Sequence, residues 1–289
     1  MMRVAGIVAS VLLLGGCLGG LSESQQQDKQ QWLDWRADND QHARDPHKSF
    51  LNIRDAKYLA VGESTWLQSQ QSPEEIRWRD KMVGLDFGLT HSGDHAEIVW
   101  NHSSHTLNPG GELALSERLS VTVGELYQGG MRAFIRDNQH PKVASFDGYD
   151  FFPYNPDAKV DANFTAATPE AVMFQTVQGL KNRFYRIGQV SFKWQGTQVS
   201  MPAYHSEAEP PYQSLMLFFK DQTNGEQTYG GGRELYVEVP QGLDKPFALD
   251  FNYSGNFYCA RSTFWNCPIL RDPTLTVAIT AGETYEKHQ

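Results

Sequence analysis

The amino-acid sequence predicts a mainly β protein, made of antiparallel β-sandwich or partly open barrel units that follow short N-terminal helices. Three observations predict this class. Apolar and polar residues alternate over many short segments from Ala96 onward, as they do in strands with one buried face. Turn-forming runs such as Asn108-Pro109-Gly110-Gly111 separate these segments. Aromatic residues make up 12% of the 289 residues, which supplies ample apolar area for a core and excludes global disorder.

The first sixteen residues have the layout of a secretory signal. A basic start at Arg3 is followed by an apolar run from Val4 to Leu14, which is shorter than the about 20 residues of a membrane-spanning helix. The ending Leu14-Gly15-Gly16-Cys17 resembles the lipobox of bacterial lipoproteins. The resemblance implies that the chain is cleaved before Cys17 and that Cys17 then carries acyl groups such as palmitate. The alternative is an ordinary signal peptide that happens to contain a cysteine.

The charge balance limits the partners. The formal net charge is −9, and such a surface is repelled by nucleic acid and by anionic headgroups. We therefore expect no nucleic-acid partner, and attachment to the membrane through the lipid on Cys17 alone. This predicts a lipid-anchored protein of the cell envelope. In a Gram-negative cell, Leu18 after the lipid cysteine favours the outer membrane, facing the periplasm.

Composition and pattern divide the chain into four segments. Residues 1–16 form the predicted signal, and residues 17–48 contain the lipid cysteine, a tether and a short helix. The tether, from Leu18 to Asp28, is rich in Gly, Ser and Gln. Residues 49–143 are predicted to hold a helix and a first β region, and residues 144–289 a C-terminal β domain.

Two short helices are predicted ahead of the strands. Trp32, Leu33 and Trp35 have the spacing of one helix face, and this helix should end before Pro46. Ser72-Pro73-Glu74-Glu75 has serine at the N-cap, proline at the first helical position and glutamate completing a capping box, which predicts the second helix.

The remaining predicted elements are strands. The clearest candidates are Ala96 to Trp100, Leu119 to Val123, Met131 to Arg136, Val172 to Val177, Val190 to Trp194, Leu215 to Phe219, Leu235 to Val239 and Leu275 to Ile279. In one of them the apolar residues alternate with Glu234, Tyr236 and Glu238, so one face of this strand is expected to be solvated.

Two cysteines remain once Cys17 carries lipid. Cys259 and Cys267 would lie in an oxidising compartment if the chain is exported. A bridge between them closes a nine-residue loop, worth about 2.5 kcal/mol in the chain-entropy model. The alternative is a pair of zinc ligands, which lacks the close C-x₂-C spacing of zinc knuckles. We predict the disulfide.

Residues 218–233 form a long, polar, glycine-rich loop between two predicted strands. Loops of this length are often functional, and glycines let the backbone approach a ligand closely. Its side chains offer an acceptor, three hydroxyls and a planar cation: Asp221, Thr223, Thr228, Tyr229 and Arg233. The alternative is a self-satisfied loop in which Arg233 bonds to Asp221 or Asp250.

Motifs in the C-terminal half resemble a known family. They are Phe219-x-Asp221-x-Thr223-x-Gly225-x-x-Thr228-Tyr229-x-x-Gly232-Arg233, Asp250-Phe251-Asn252, Tyr258-Cys259, Cys267-Pro268 and Ala281-Gly282-Glu283, with Phe146-x-Gly148 and Phe152-Pro153 upstream. Over roughly residues 130–285 the chain is similar to the domain-of-unknown-function family 1684. The resemblance implies no agreed activity.

The predicted site joins the loop to polar residues at later strand ends. The candidate ligand-binding residues are Asp221, Thr223, Thr228, Tyr229, Arg233, Asp250, Asn252 and Glu283. We expect them to converge at one mouth of the β domain and to bind a small polar ligand or an envelope component.

Two other functions remain open. A hydrolase would use Asp221 and Asp250 as paired carboxylates, with Arg233 as an anion clamp. A purely structural assembly lipoprotein would keep the loop closed and expose an apolar patch elsewhere. The sequence contains no serine elbow, phosphate loop or recognisable histidine triad, so whether the protein is an enzyme stays undecided.

Histidines and acids cluster within fifteen residues of the first β region: His91, Asp94, His95, Glu97, His102 and His105. In a strand only His95 and Glu97 share a face, and His102 and His105 fall in a serine-rich predicted turn. We therefore predict no metal site, and no cofactor.

Overall fold

The structure, a computed structural model, describes residues 20–68, 72–82, 87–126 and 130–285. The predicted signal and Cys17 lie outside these ranges. The protein is mainly β, with three antiparallel sheets in a sandwich-like arrangement, which confirms the predicted fold class. Within the described ranges no helix combines the length and the apolar character needed to cross a membrane.

A long helix, α1 (Glu23–Arg44), opens the described chain. Ser22 caps it, because its hydroxyl accepts a bond from the Gln25 N–H at 3.3 Å and its own N–H donates to the Gln25 side chain at 2.9 Å. The prediction of a tether to Asp28 is therefore wrong from Glu23 onward: glutamines are good helix formers, and the capping box starts the helix early. The helix ends before Pro46, as predicted.

Two four-stranded sheets pack face to face in the N-terminal half. Their orders are β1-β8-β7-β6 and β2-β3-β4-β5, with β1 (Ile53–Leu59), β2 (Ser64–Leu67), β3 (Phe87–His91), β4 (Ala96–Trp100), β5 (Ser103–Leu107), β6 (Glu112–Ala114), β7 (Leu119–Leu126) and β8 (Gly130–Asp137). Alternate positions such as Leu89, Ile98, Val121 and Ile135 are fully buried and form one apolar core between the sheets.

The helix predicted at Ser72 is wrong. The N–H groups of Glu75 and Ile76 do bond to the Ser72 carbonyl oxygen at 3.0 Å, but the turn goes no further. The chain then extends, and Arg79 forms a bridge with Trp66 of β2. Pairing with the sheet edge thus overrides the local helix signal.

A seven-stranded sheet forms the C-terminal half, entered through a short helix, α2 (Pro141–Ala144). The strand order is β14-β9-β10-β11-β12-β13-β15, with β9 (Lys159–Gln175), β10 (Lys181–Trp194), β11 (Thr197–His205), β12 (Ser214–Phe219), β13 (Arg233–Glu238), β14 (Phe247–Asp250) and β15 (Gly255–Asn256). One face buries an aliphatic core that includes Leu217, Leu235 and Ile279.

The strand predicted at Leu275 to Ile279 is also wrong. Val277 and Ile279 are buried in the core as the alternation predicts, but the segment has no strand partner. Backbone bonds at Leu275 and Val277 join it to the loop that follows β12. Other carbonyl oxygens accept from side chains: the Trp194 indole donates to Ala278 at 3.0 Å, and Arg233 to Ile279 at 2.9 Å. Two backbone bonds and side-chain donors therefore take the place of a regular strand ladder.

The opposite face of this sheet carries an aromatic cluster that includes Phe174, Tyr204 and Phe218. Cys259 and Cys267 form the predicted disulfide beside this cluster, with their Cα atoms 6.2 Å apart. The bridge therefore closes the 259–267 loop, and its sulfur atoms pack in the cluster on this face of the sheet.

The two halves are joined through long-range hydrogen bonds. The Trp32 indole of α1 donates to the Asn252 carbonyl at 2.9 Å, and the Trp265 indole donates to the Phe50 carbonyl at 3.1 Å. The Tyr58 hydroxyl donates to the Phe264 carbonyl at 2.6 Å. An open cleft remains between α1 and the edge of the seven-stranded sheet.

Candidate functional site

The glycine-rich loop at residues 218–233 is closed by its own side chains. Asp221 accepts from Arg233, from the Thr223 N–H at 2.7 Å and from the Thr223 hydroxyl at 2.6 Å. The hydroxyls of Thr223 and Thr228 lie 2.9 Å apart. All four residues are at most 1% exposed. The structure thus matches the self-satisfied alternative at these positions.

Arg233 holds the C-terminal segment onto the sheet. Besides its ion pair with Asp221, its guanidinium donates to the carbonyl oxygens of Ala281 at 2.6 Å and Ile279 at 2.9 Å. Its Cζ atom lies 5.0 Å from the centre of the Phe219 ring. Burial lowers the pKa of Arg233, and the neighbouring Asp221 opposes that shift.

Asp250 and Asn252 also serve the fold rather than an open site. Asp250 accepts from the Asn252 N–H at 3.0 Å and from its amide at 2.7 Å, and burial raises the pKa of Asp250. The Asn252 amide also donates to the Asn155 carbonyl at 2.8 Å. Asp221 and Asp250 therefore do not share the Arg233 guanidinium, and this arrangement gives no support to a hydrolase based on the two aspartates.

The last two predicted residues, Tyr229 and Glu283, lie outside the closed loop network. Tyr229 is half-buried and meets Tyr285 edge-on, with ring centres 5.3 Å apart. Glu283 is only 5% exposed but lines the cleft beside α1, which has a volume of about 220 Å³. Of the eight predicted ligand-binding residues, Glu283 is the one that reaches this cleft.

Aromatic side chains form the walls of this cleft, which is called the aromatic cleft below. They are Trp35, Phe50, Tyr149, Phe151, Tyr253 and Tyr258. Trp35 meets Tyr253 edge-on at a ring-centre distance of 4.9 Å, and Phe50 stacks on Tyr258 at 4.6 Å. These contacts orient the rings from both sides of the cleft.

Two glutamates reach the aromatic cleft from adjacent positions on the sheet edge. Glu234 of β13 pairs with Gly255 of β15, and the next residue, Asn256, donates its N–H to Glu283 at 2.8 Å. Gly255 has no side chain, so the space opposite Glu234 stays open. Arg261 donates to Glu283 at 3.2 and 3.3 Å.

The two carboxylates differ in their electrostatics. Glu283 is paired with Arg261, yet burial raises its pKa. Glu234 is half-buried, and no ion pair joins it to any residue in the described ranges; the Tyr236 hydroxyl donates to it at 3.4 Å. Burial raises the pKa of Glu234 to about 7. Glu234 is therefore a desolvated carboxyl group whose charge changes near neutral pH.

Most of this cleft is not predicted from the sequence. Alternation along β13 predicts a solvated face that includes Glu234, and the structure confirms that face. The alternation does not distinguish Glu234 from the other polar residues on it. Trp35 and Tyr258 come from distant parts of the chain. The glycine opposite Glu234 is the one local signal, and it becomes informative only when the strand pairing is known.

The histidine-rich region is a hairpin. Asn101 and His102 form its turn with φ of 49° and 63°, whereas His105 lies in β5, so the turn predicted for both histidines is wrong beyond His102. Strand pairing with β4 from Ser103 onward explains the difference. Among the residues that the structure describes, no three histidine, cysteine or acidic side chains are grouped to hold a metal ion.

The fold and cleft define a mainly β, sandwich-like protein with a ligand-sized aromatic cleft. Residues 144–284 match the family described as "Protein of unknown function (DUF1684)". An uncharacterized protein of Haloarcula marismortui, solved by solution NMR, is 31% identical with a TM-score of 0.42, over 50% of this chain and 80% of that chain. A comparison with curated proteins gives no match. The chain belongs to the DUF1684 family.

Proposed function

We propose that this chain is a lipid-anchored protein of the cell envelope that binds a small organic cation, an amine or a quaternary ammonium, in its aromatic cleft. The observation that carries the proposal is Glu234: a half-buried carboxyl group, without an ion pair in the described part of the chain, set among aromatic rings.

The chemistry of the aromatic cleft favours a cation over other small ligands. Aromatic faces carry partial negative charge and attract cations, most strongly when both are desolvated. Two carboxylates, Glu234 and Glu283, face one guanidinium, Arg261. Once Glu234 is ionised, above neutral pH, the excess is negative and an anion would be repelled. A cation beside Glu234 would supply the countercharge that this group lacks.

The predicted anchor suits such a ligand. The capping box starts α1 at Glu23, so only a short segment separates the helix from Cys17. At 1.5 Å per residue, Trp35 of the aromatic cleft lies about 18 Å along the helix from Glu23. A lipid on Cys17 would thus keep the aromatic cleft near the membrane surface.

A thermal-shift panel tests the binding proposal. The purified protein is heated at pH 8 with choline, butylamine, glucose or benzoate. The cations should raise the melting temperature, and Glu234→Gln should remove that shift. Glu238→Gln is the matched control, because Glu238 is exposed on the same face of β13 and its substitution removes the same charge. Stabilisation by glucose or benzoate alone would count against the proposal.

Mass spectrometry tests the anchor. The protein purified from membranes should begin at Cys17 and carry acyl groups on it. An unacylated Cys17 still joined to Met1 would contradict lipid anchoring.

A second candidate is a hydrolase that uses Glu234 and Glu283 in place of the predicted aspartates. A carboxyl group with a pKa of about 7 suits a general acid, and a second carboxylate lines the same cleft. Chromogenic glycosides and esters would report this activity. Turnover lost in both Glu234→Gln and Glu283→Gln, but kept in Glu238→Gln, would favour it over simple binding.

A further inference from the structure

A larger cavity adjoins the aromatic cleft. Its volume is about 400 Å³, and it is called the second cavity below. The two spaces share four lining residues, Glu234, Tyr236, Phe257 and Tyr258. Tyr236 and Tyr258 are 60% and 46% exposed, so the wall between the two spaces is formed by rings that a ligand can reach from either side. The two spaces therefore form one groove.

Arg132 lines the second cavity together with the carboxylates Glu125 and Glu234, but no ion pair among the described residues joins it to either. Its guanidinium carbon lies 4.7 Å from the centre of the Phe134 ring and 5.3 Å from that of Trp265. No carboxylate in the described ranges forms an ion pair with it, whereas most of the other buried or half-buried arginines there have a carboxylate partner. Ion-paired examples are Arg54, Arg118, Arg186, Arg233 and Arg261.

The backbone makes room for this guanidinium. Arg132 of β8 pairs with Gly124 of β7, and a Cβ atom at Gly124 would lie only 2.7 Å from Arg132 Nη2. The guanidinium therefore lies over the bare backbone of Gly124, held by two rings. A stacked guanidinium keeps its planar donors for carboxylate or phosphate oxygens.

One further feature fits an acidic group here. Burial lowers the pKa of Arg132, a cost that a bound anion would offset.

We propose that the second cavity is a subsite for an acidic group, a carboxylate or phosphate monoester, on the same molecule whose cationic end occupies the aromatic cleft. The cationic half of this statement rests on the proposed function. The ligand is then an extended molecule with opposite charges at its two ends, and the acidic end is recognised by Arg132.

A length series tests this proposal. Linear α,ω-amino acids, from 4-aminobutyrate to 12-aminododecanoate, are titrated into the full chain beside alkylamines of equal length. At the length that spans both spaces, the amino acid should bind at least about tenfold more tightly than the matched alkylamine, because the second contact becomes intramolecular. Aminoalkyl phosphates of the same lengths separate phosphate from carboxylate recognition.

Fluorine NMR locates each contact. In protein labelled with 5-fluorotryptophan, Trp35 reports on the aromatic cleft and Trp265 on the second cavity. The alkylamines should shift the Trp35 signal, and the optimal amino acid should shift both signals.

The variants keep the two proposals separable. Arg132→Gln should reduce the amino acid to the affinity of the alkylamine and leave alkylamine binding unchanged, and Arg132→Lys should retain part of the gain. Lys193→Gln, which removes an exposed charge on β10, should change neither. Alkylamine binding without any length optimum overturns the second subsite alone. Absence of alkylamine binding overturns the proposed function instead.

Discussion

Arg233 and Asp221 form an ion pair whose two side chains are both completely buried. The pair joins the start of β13 to the glycine-rich loop, and the same guanidinium ties down the segment at Ile279 and Ala281. The residues that the sequence suggests for ligand binding thus stabilise the C-terminal half of the protein. Removing one partner of such a pair lowers the stability of the folded state strongly, because the other charge is left buried without a counterion.

We predict that Arg233→Ala lowers the free energy of unfolding by about 3–5 kcal/mol, measured by denaturant titration. The double variant Arg233→Met, Asp221→Asn should be more stable than Arg233→Ala, since no buried charge remains unpaired. Equal stability of wild type and Arg233→Ala would show that the pair does not have this role.

Glu234 makes stability depend on pH. Its pKa is raised to about 7 in the folded protein, above its unfolded value of about 4.3. The folded state therefore holds the proton more tightly, and the contribution of Glu234 to stability is fully present below about pH 4 and is lost as pH rises through 7. Unfolding free energies at pH 5 and pH 8 should differ less in Glu234→Gln than in Glu238→Gln. An identical pH dependence in both variants would exclude a raised pKa at Glu234.

Tyr258 should contribute to ligand affinity through its ring. Tyr258→Ala is expected to weaken choline binding about tenfold, or 1.4 kcal/mol, measured by calorimetry, because a cation–π contact is removed. Tyr258→Phe keeps the ring that stacks on Phe50 and should bind as wild type does. A larger loss in the phenylalanine variant would point to the hydroxyl instead.

Trp32 joins α1 to the C-terminal half of the protein through its indole N–H. Trp32→Phe keeps an aromatic ring but leaves the Asn252 carbonyl without this donor, so the free energy of unfolding should fall by about 1 kcal/mol. Lys29→Ala, at an exposed position of the same helix, is the control and should have little effect. A Trp32→Phe variant as stable as the control would mean that this bond contributes nothing measurable.

The sequence predicts the fold better than it predicts the cleft, for a physical reason. Strand alternation is local, so segments such as Ala96 to Trp100 and Leu215 to Phe219 are strands as predicted. The alternation at Leu275 to Ile279 places Val277 and Ile279 in the core correctly, but strand formation depends on partners elsewhere in the chain. Here two backbone bonds to the loop after β12, together with side-chain donors from Trp194 and Arg233, take the place of a strand ladder.

The cleft depends on contacts between distant positions. Trp35 and Tyr253, which face each other across it, are more than 200 residues apart in the chain. Glu283 is included in the predicted site because it belongs to the family motif. Glu234 resembles any polar residue on a half-solvated strand until its neighbours Gly255 and Tyr258 are known.

The cation site at Glu234 is tested by calorimetric titration of choline into the wild type and Glu234→Gln at pH 8 and pH 5.5. We predict saturable binding to the wild type at pH 8. We also predict a loss of at least about tenfold in affinity either on lowering the pH or on making the substitution, with no further pH effect in the variant. Choline binding that is the same in both proteins at both pH values, or absent from both, would contradict a cation site at Glu234.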